Sequence, residues 1–97
     1  MAEIYEVTKT YRKGKKLTLR QFADEINEKL VNTSVTYATV NRWEMDDHYY
    51  EPDMRLLFEC LATYADWRRA WAVDCLKAMF PDLFLTGVVR IELPVAE

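Results

Sequence analysis

Glycine and proline are scarce in this chain. Its 97 residues contain two glycines and three prolines, at Gly14, Pro52, Pro81, Gly87 and Pro94. Because these residue types interrupt regular structure most strongly, the long segments between them are expected to be mostly helical. Apolar residues make up 51% of the chain and charged residues 30%, which is typical of one globular domain and excludes disorder over most of the length.

The first segment, residues 4 to 13, places apolar side chains at helical spacing. Ile4, Val7 and Tyr11 occur at i, i+3 and i+7, and Gly14 follows where a helix end favours a left-handed residue. These side chains are also β-branched or aromatic, so a strand is the alternative.

Thr18 is expected to start the second helix. Gln21 lies three residues later, which is the spacing of a capping box, in which two side chains satisfy unpaired backbone N–H groups. An apolar stripe follows at helical spacing and predicts that this helix continues to about Val31. The stripe consists of Phe22, Ala23, Ile26 and Leu30.

Thr36 is expected to cap a short third helix with the sequence TYATVNRWEM. Val40 and Trp43 lie on one side of this helix, and Trp43 is therefore expected in the core. The other side is free of acidic residues, and it carries Tyr37, Ala38, Asn41 and Arg42.

The second half predicts two further helices and a terminal strand. After the polar loop MDDHYYEPD, Asp53 or Glu51 can cap a fourth helix, and Asp66 can cap a fifth that stops before Pro81. Over residues 87 to 93 the period changes to two, which predicts a strand that needs a mate from the N-terminal segment or from a second chain. The residues predicted to be buried in these helices are Met54, Leu57, Phe58, Leu61, Ala62, Trp67, Trp71, Cys75 and Met79.

Catalytic and metal-binding patterns are weak in this sequence. Cys60 and Cys75 form no CxxC pair and lie among apolar neighbours, so buried structural thiols are expected. Asp46, Asp47 and His48 are adjacent on one loop, where ligands seldom converge, and a solvated histidine is the simpler interpretation. Without a Gly-rich phosphate loop or an acid, base and nucleophile set, neither an enzyme nor a cofactor is expected.

Charge and hydropathy limit the partners. Residues 1 to 45 have a net charge of +2 and residues 46 to 97 a net charge of −5. The segment KTYRKGKKLTLR, residues 9 to 20, contains six bases and no acid, and such a patch can bind phosphate, with a solvated loop as the alternative. No segment approaches the roughly 20 apolar residues of a membrane span, so a soluble cytoplasmic protein without a membrane partner is expected.

Four motifs in register resemble the Cro and phage-repressor class of helix-turn-helix domains, the XRE-like family, over roughly residues 4 to 64. The residues that carry the resemblance are Thr18, Phe22, Ala23, Thr36, Thr39, Val40, Trp43, Glu44 and Pro52. The chain is about seven residues longer than the family pattern between Ala23 and Val35, which we interpret as two extra turns on the second helix plus a longer turn. Residue types also differ from the family pattern at Leu19, Tyr37, Ala38 and Asp46.

The resemblance implies a mainly all-α fold, a five-helix lambda-repressor-like domain, and the period-two pattern of the tail adds a short C-terminal β-strand. It implies a helix-turn-helix at about residues 18–45 within a domain over 1–80, and an extension over 81–97 that can act as a dimerisation arm. The implied function is that of a cofactor-free transcriptional regulator, a homodimer that binds double-stranded DNA and reads the major groove with residues 36–45, with no small-molecule substrate. The implied base-reading residues are Tyr37, Ala38, Asn41 and Arg42. The implied phosphate-binding residues are Lys15, Lys16, Thr18, Arg20, Thr36 and Thr39.

A protein-interaction module on the same helical fold, such as an antitoxin-like or anti-regulator adaptor, is the alternative. The acidic second half would repel a phosphate backbone that faced it, and Tyr49 and Tyr50 are residues of the type enriched in protein interfaces. Tyr37 could pack instead of reading a base, and Arg42 could pair with Asp46. These alternatives predict different exposures and contacts for the third helix.

Overall fold

The chain forms five helices in the part that a computed structural model describes, residues 3–45 and 50–82. They are α1 (Ile4–Gly14), α2 (Leu19–Asn27), α3 (Tyr37–Trp43), α4 (Met54–Thr63) and α5 (Trp67–Met79). The prediction of a mainly helical chain is confirmed over these residues, and the strand alternative for the first segment is wrong. The strand predicted at residues 87–93 lies outside the described residues.

Side-chain caps begin the helices where the sequence predicts them. The Thr18 hydroxyl oxygen accepts the Gln21 N–H at 3.1 Å, and Gln21 Oε1 accepts the Thr18 N–H at 2.8 Å, which completes the capping box. Each such bond satisfies a backbone donor that has no partner within the helix. The side-chain oxygens of Thr36, Asp53 and Asp66 likewise accept backbone N–H groups at the starts of α3, α4 and α5.

Trp71 of α5 lies at the centre of the core and joins four helices. Its fully buried ring contacts Trp43 of α3 and Phe22 of α2, each at 5.7 Å between ring centroids. Its indole N–H donates to the hydroxyl of Thr8 on α1 at 3.1 Å, which satisfies a donor that would otherwise be costly to bury. The predictions that Trp43 and Trp71 are core residues are confirmed.

The second helix ends at Asn27, so the prediction that it continues to about Val31 with two extra turns is wrong. The Arg68 guanidinium and the Tyr64 hydroxyl donate to two carbonyls in the last turn of α2, at 2.8 and 2.6 Å. In a longer helix the Lys29 N–H would bond to the Glu25 carbonyl, and here it donates to the Tyr64 hydroxyl at 2.9 Å instead. Val31 is instead 86% exposed.

The connection from α2 to α3 is an ordered loop held by Asn27 and Glu59. The Asn27 amide donates to the Val35 carbonyl at 2.7 Å and accepts its N–H at 2.9 Å. The Glu59 carboxylate of α4 accepts the Thr33 hydroxyl at 2.6 Å and the backbone N–H groups of residues 31 and 32 at 2.9 and 3.1 Å. These bonds, that of Thr33 first, lower the pKa of Glu59 to about 2. The extra length between the helices therefore forms this loop.

α4 buries a different face from the one predicted. Phe58 is 54% exposed and Ala62 is also exposed, whereas Leu56 and Cys60 occupy the core positions beside Leu57. The predicted and observed stripes are neighbours on the same helix and share Leu57. Both are apolar, so helical spacing alone does not decide which of them faces the core. The prediction was correct for Leu57 and wrong for Phe58 and Ala62.

The two cysteines are free and buried, as predicted. Burial raises the pKa of the Cys60 thiol to about 12 and that of Cys75 well above its usual value. Both side chains are therefore protonated at neutral pH and act as small apolar core groups.

The left-handed residue after α1 is Lys16, with a φ of 59°, and Gly14 belongs to the helix itself. The prediction that Gly14 supplies the left-handed position is therefore wrong. The helical path continues for two residues beyond Gly14, where the N–H groups of Lys15 and Lys16 bond to the carbonyls of Tyr11 and Lys13 at 3.1 Å each. In residues 3–45 and 50–82, no helix has the length and apolar character needed to cross a membrane.

Candidate nucleic-acid interface

α3 turns its predicted base-reading residues to solvent. Val40 is fully buried and Trp43 is 3% exposed on the opposite side. A helix of seven residues is not stable by itself, so these two anchors hold α3 in place against the other helices. The four predicted reading residues, all exposed, are Tyr37, Ala38, Asn41 and Arg42.

Arg20 and Tyr37 connect the start of α2 with the start of α3. The Arg20 guanidinium carbon lies 4.5 Å from the centroid of the Tyr37 ring, which is within the range of a cation–π contact. Stacking uses the flat face of a guanidinium, and its N–H donors lie in the plane. Arg20 can therefore bind a phosphate or a base while it stays on the ring. Tyr37 retains 48% of its exposure, so its edge is also accessible.

The two predicted phosphate-binding lysines do not join this pair. Lys15 Nζ lies 5.2 Å from the ring centroid of Trp67, at the start of α5, and forms a cation–π contact there. Lys16 is exposed at the left-handed position that ends the turn after α1. Both cations are at the surface of the α1–α2 connection, and Lys15 extends towards α5.

The three predicted phosphate-binding threonines are helix-start residues. Thr18 and Thr36 accept backbone N–H groups through their hydroxyl oxygens, and the hydroxyls of Thr36 and Thr39 lie 3.2 Å apart. A hydroxyl that accepts one bond still carries its own proton. Capping of the helix is therefore compatible with donation to a phosphate oxygen.

The carboxylate that follows α3 is neutralised from within the domain. Arg12 of α1 donates to both oxygens of Glu44, from Nε at 2.6 Å and from Nη2 at 2.8 Å, and its Nη1 donates to the Leu17 carbonyl at 3.1 Å. The Glu44 side chain is 6% exposed, and its bonds raise the pKa of Arg12 further. Arg12 thus contributes no free cation to the basic segment, but it removes an acidic charge from the end of α3.

Arg42 lies near an aromatic ring from the loop before α4. Its guanidinium carbon is 5.7 Å from the ring centroid of Tyr50, a side chain that is 40% exposed. The alternative pairing of Arg42 with Asp46 involves a residue outside the described part of the chain. Asp47, His48 and Tyr49 lie outside it as well.

The side chains that fix this surface in place were missed by the sequence reasoning. The Arg12–Glu44 pair joins positions 32 apart, and the Arg68 bond to α2 joins positions 43 apart. No local pattern in the sequence identifies the partners in either of these contacts. In the part of the chain that the structure describes, no three His, Cys, Asp or Glu side chains are grouped to hold a metal ion. No protein-family model, curated protein or solved structure matches this chain.

Proposed function

We propose that this protein is a sequence-specific regulator of transcription that binds double-stranded DNA and reads the major groove with α3 and its flanks, residues 36–45. The observation that carries the proposal is the exposed, acid-free face of α3, a helix that Val40 and Trp43 anchor in the core. An α-helix fits the major groove, and such a reader needs outward polar side chains and an inward apolar anchor. α3 has both, with Val40 and Trp43 inward and Asn41 and Arg42 outward.

Each predicted contact has a chemical reason. Arg42 can donate two hydrogen bonds to O6 and N7 of a guanine, which is worth about 1 to 3 kcal/mol of discrimination against other bases. Asn41 can pair with an adenine, and Tyr37 or Ala38 can touch a thymine methyl group. Cations and hydroxyls of the α1–α2 connection and of the starts of α2 and α3 would bind the sugar-phosphate backbone without reading sequence. These are Lys15, Lys16, Thr18, Arg20, Thr36 and Thr39.

Within this proposal, α2 and α3 are the helix-turn-helix of a lambda-repressor-like domain over residues 1–80. Residues 81–97 are an extension with a strand, and the active form is a homodimer without a cofactor. Two-fold symmetry would place two copies of α3 about one DNA turn apart, roughly 34 Å. Asn27 and Glu59 hold the long loop that connects these two helices through hydrogen bonds to loop residues 31–35.

Selection of bound duplexes from a random pool tests the proposal directly. Enrichment of a common sequence, with palindromic halves for a dimer, is the expected result. Absence of any enriched sequence at low salt would refute it.

A matched set of variants separates reading from backbone contact. We expect Arg42→Ala to lose the preference at one base position, with little loss on random duplex. Lys15→Ala combined with Lys16→Ala should weaken binding to all sequences alike and reduce the slope of log affinity against log salt by about 2. Equal losses on preferred and random duplexes for Arg42→Ala would contradict its assigned role.

An adaptor that binds another protein is the second candidate, and the exposed ring of Tyr50 beside Arg42 favours it, because Tyr and Arg are enriched in protein interfaces. The two candidates differ in salt dependence. A DNA reader with three cations on phosphate loses affinity with a slope of about −3 per copy, whereas an adaptor binds no duplex even at low salt.

A further inference from the structure

α4 carries exposed apolar side chains beside the stripe that it buries in the core. Phe58 is 54% exposed, and Val31 of the neighbouring loop is 86% exposed. The Val31 N–H donates to Glu59 at 2.9 Å, so the loop and this side of α4 form one surface. A shallow groove of about 530 Å³ runs along it, lined by loop residues 32–33 and by Met54, Arg55, Phe58, Glu59 and Ala62. Grouped apolar exposure of this kind marks an interaction surface.

The apolar residues of α4 are spaced symmetrically about Phe58. Met54, Phe58 and Ala62 occur at i, i+4 and i+8 and therefore lie along one side of the helix. When two copies of α4 pack antiparallel about a two-fold axis through Phe58, the two phenyl rings meet. Each Met54 then meets Ala62 of the partner subunit. A large side chain opposite a small one is the pairing that lets two such faces interdigitate.

The charges beside the stripe are complementary under the same symmetry. Arg55 and Glu59 flank the stripe on one edge, and equivalent edges of two antiparallel helices face each other. Arg55 therefore lies beside Glu59 of the partner subunit, and this contact occurs twice. Glu59 is ionised at neutral pH, as a carboxylate ordinarily is, and its Oε1 accepts the Thr33 hydroxyl with a further lone pair to offer. A surface with one cation and one anion is complementary to a second copy of itself, and it is less complementary to a partner whose charges all have the same sign.

We propose that the α4 face, defined by Val31, Met54, Phe58 and Ala62 with Arg55 and Glu59 at its edge, is an interface that joins two copies of this chain. The contact is isologous, so the same patch serves both subunits. It does not depend on the proposed DNA binding, because the α4 face and the exposed face of α3 share no residue.

Sedimentation equilibrium of the full chain tests the interface through its mass. The apparent mass of the wild type is expected to rise from about 11.5 kDa, the mass of one chain, to about twice that value as the concentration rises from roughly 1 to 200 μM. Phe58→Asp should raise the dimer dissociation constant at least about 100-fold, since every dimer loses two central rings. Met45→Asp is the matched control, because Met45 is 48% exposed and lies outside the α4 face, and it should leave the dissociation constant unchanged.

A cysteine placed on the axis tests the geometry. Phe58→Cys should form a disulfide-linked dimer under mild oxidation, because the two-fold axis places the two substituted positions opposite each other and the loss of both rings lets them approach to the separation that a disulfide needs. Cys60 and Cys75 are buried and give no background. Met45→Cys should remain a single chain on a non-reducing gel under the same conditions.

Three results would overturn the proposal. The first is a wild type that stays at the mass of one chain up to 200 μM. The second is a dimer that survives Phe58→Asp unchanged, which would move the interface to another surface such as the strand predicted at residues 87–93. The third is equal cross-linking of Phe58→Cys and Met45→Cys. None of these measurements contains DNA, so they are independent of the proposed function.

Discussion

Replacement of Arg12 by methionine should destabilise the domain strongly although Arg12 lies in a segment of surface bases. The guanidinium makes two bonds to a carboxylate that is 6% exposed and one to the Leu17 carbonyl. Arg12→Met leaves the Glu44 charge without its partner, and removal of one member of a buried pair costs about 3 to 5 kcal/mol. Because the Arg12 side chain is itself 18% exposed, water compensates part of the loss and we expect about 3 kcal/mol.

That loss is large enough to measure by ordinary denaturation. For a domain of this size, about 3 kcal/mol corresponds to a fall in Tm of roughly 12 to 24 °C. Circular dichroism against temperature and tryptophan fluorescence against urea would both follow the transition. The matched control is Lys13→Met, which removes an exposed base from the next position and should change stability by less than about 0.5 kcal/mol.

A double-mutant cycle isolates the pair from other effects of the substitutions. Arg12→Met with Glu44→Met replaces both charges by apolar groups, and such a replacement is often nearly neutral. The double variant should therefore be more stable than Arg12→Met, with a coupling energy above about 1 kcal/mol. Additive single effects, or a loss below about 1 kcal/mol for Arg12→Met, would refute the assignment of this pair as a tie between α1 and the end of α3.

Two further predictions concern the backbone and acid stability. Gly14→Ala should raise the free energy of unfolding, measured by urea denaturation, by about 0.5 to 1 kcal/mol, because Gly14 is helical and an added Cβ meets nothing within 4 Å. Lys16→Gly should raise the free energy of unfolding by about 1 kcal/mol, because Lys16 has a φ of 59°, a left-handed conformation that glycine adopts without steric cost. A lower free energy of unfolding in either variant would contradict the conformation assigned to that residue. Glu59 has a pKa lowered to about 2, so its contribution is complete above the ordinary Glu range near 4.3 and is lost as the pH falls towards 2. In Glu59→Gln the free energy of unfolding should depend less on pH between pH 5 and 2 than in the wild type. An unchanged pH dependence would contradict the role of Glu59 in holding the α2–α3 loop.

Local signals predicted the starts of the helices, and long-range partners decided the rest. Thr18, Thr36, Asp53 and Asp66 are capping residues whose action depends on the two or three residues that follow, so sequence alone was sufficient for them. The end of α2 depends on side chains about 40 positions away. No local pattern contains that information.

The face of α4 shows a second limit of sequence reasoning. Its residues form two neighbouring apolar stripes, one with Leu57 and Cys60 and the other with Phe58 and Ala62. Which stripe is buried depends on how α4 lies against α5 in the hairpin between them. A helix that is apolar over so wide an arc also has a second apolar surface available, and this is the surface assigned above to self-association. The failed prediction for Phe58 and the proposed interface therefore have the same origin.

If both proposals hold, self-association through α4 would help a chain with a net negative charge to bind DNA. One copy offers Lys15, Lys16 and Arg20 to phosphate against a net charge of −3, which is a weak electrostatic contribution. Two copies joined through α4 would double these contacts, and the second half-site would bind at the high effective concentration set by the first. Dimerisation and DNA binding then become linked equilibria. A palindromic duplex would stabilise the dimer by the same factor by which the dimer strengthens duplex binding, while a single half-site would have no such effect.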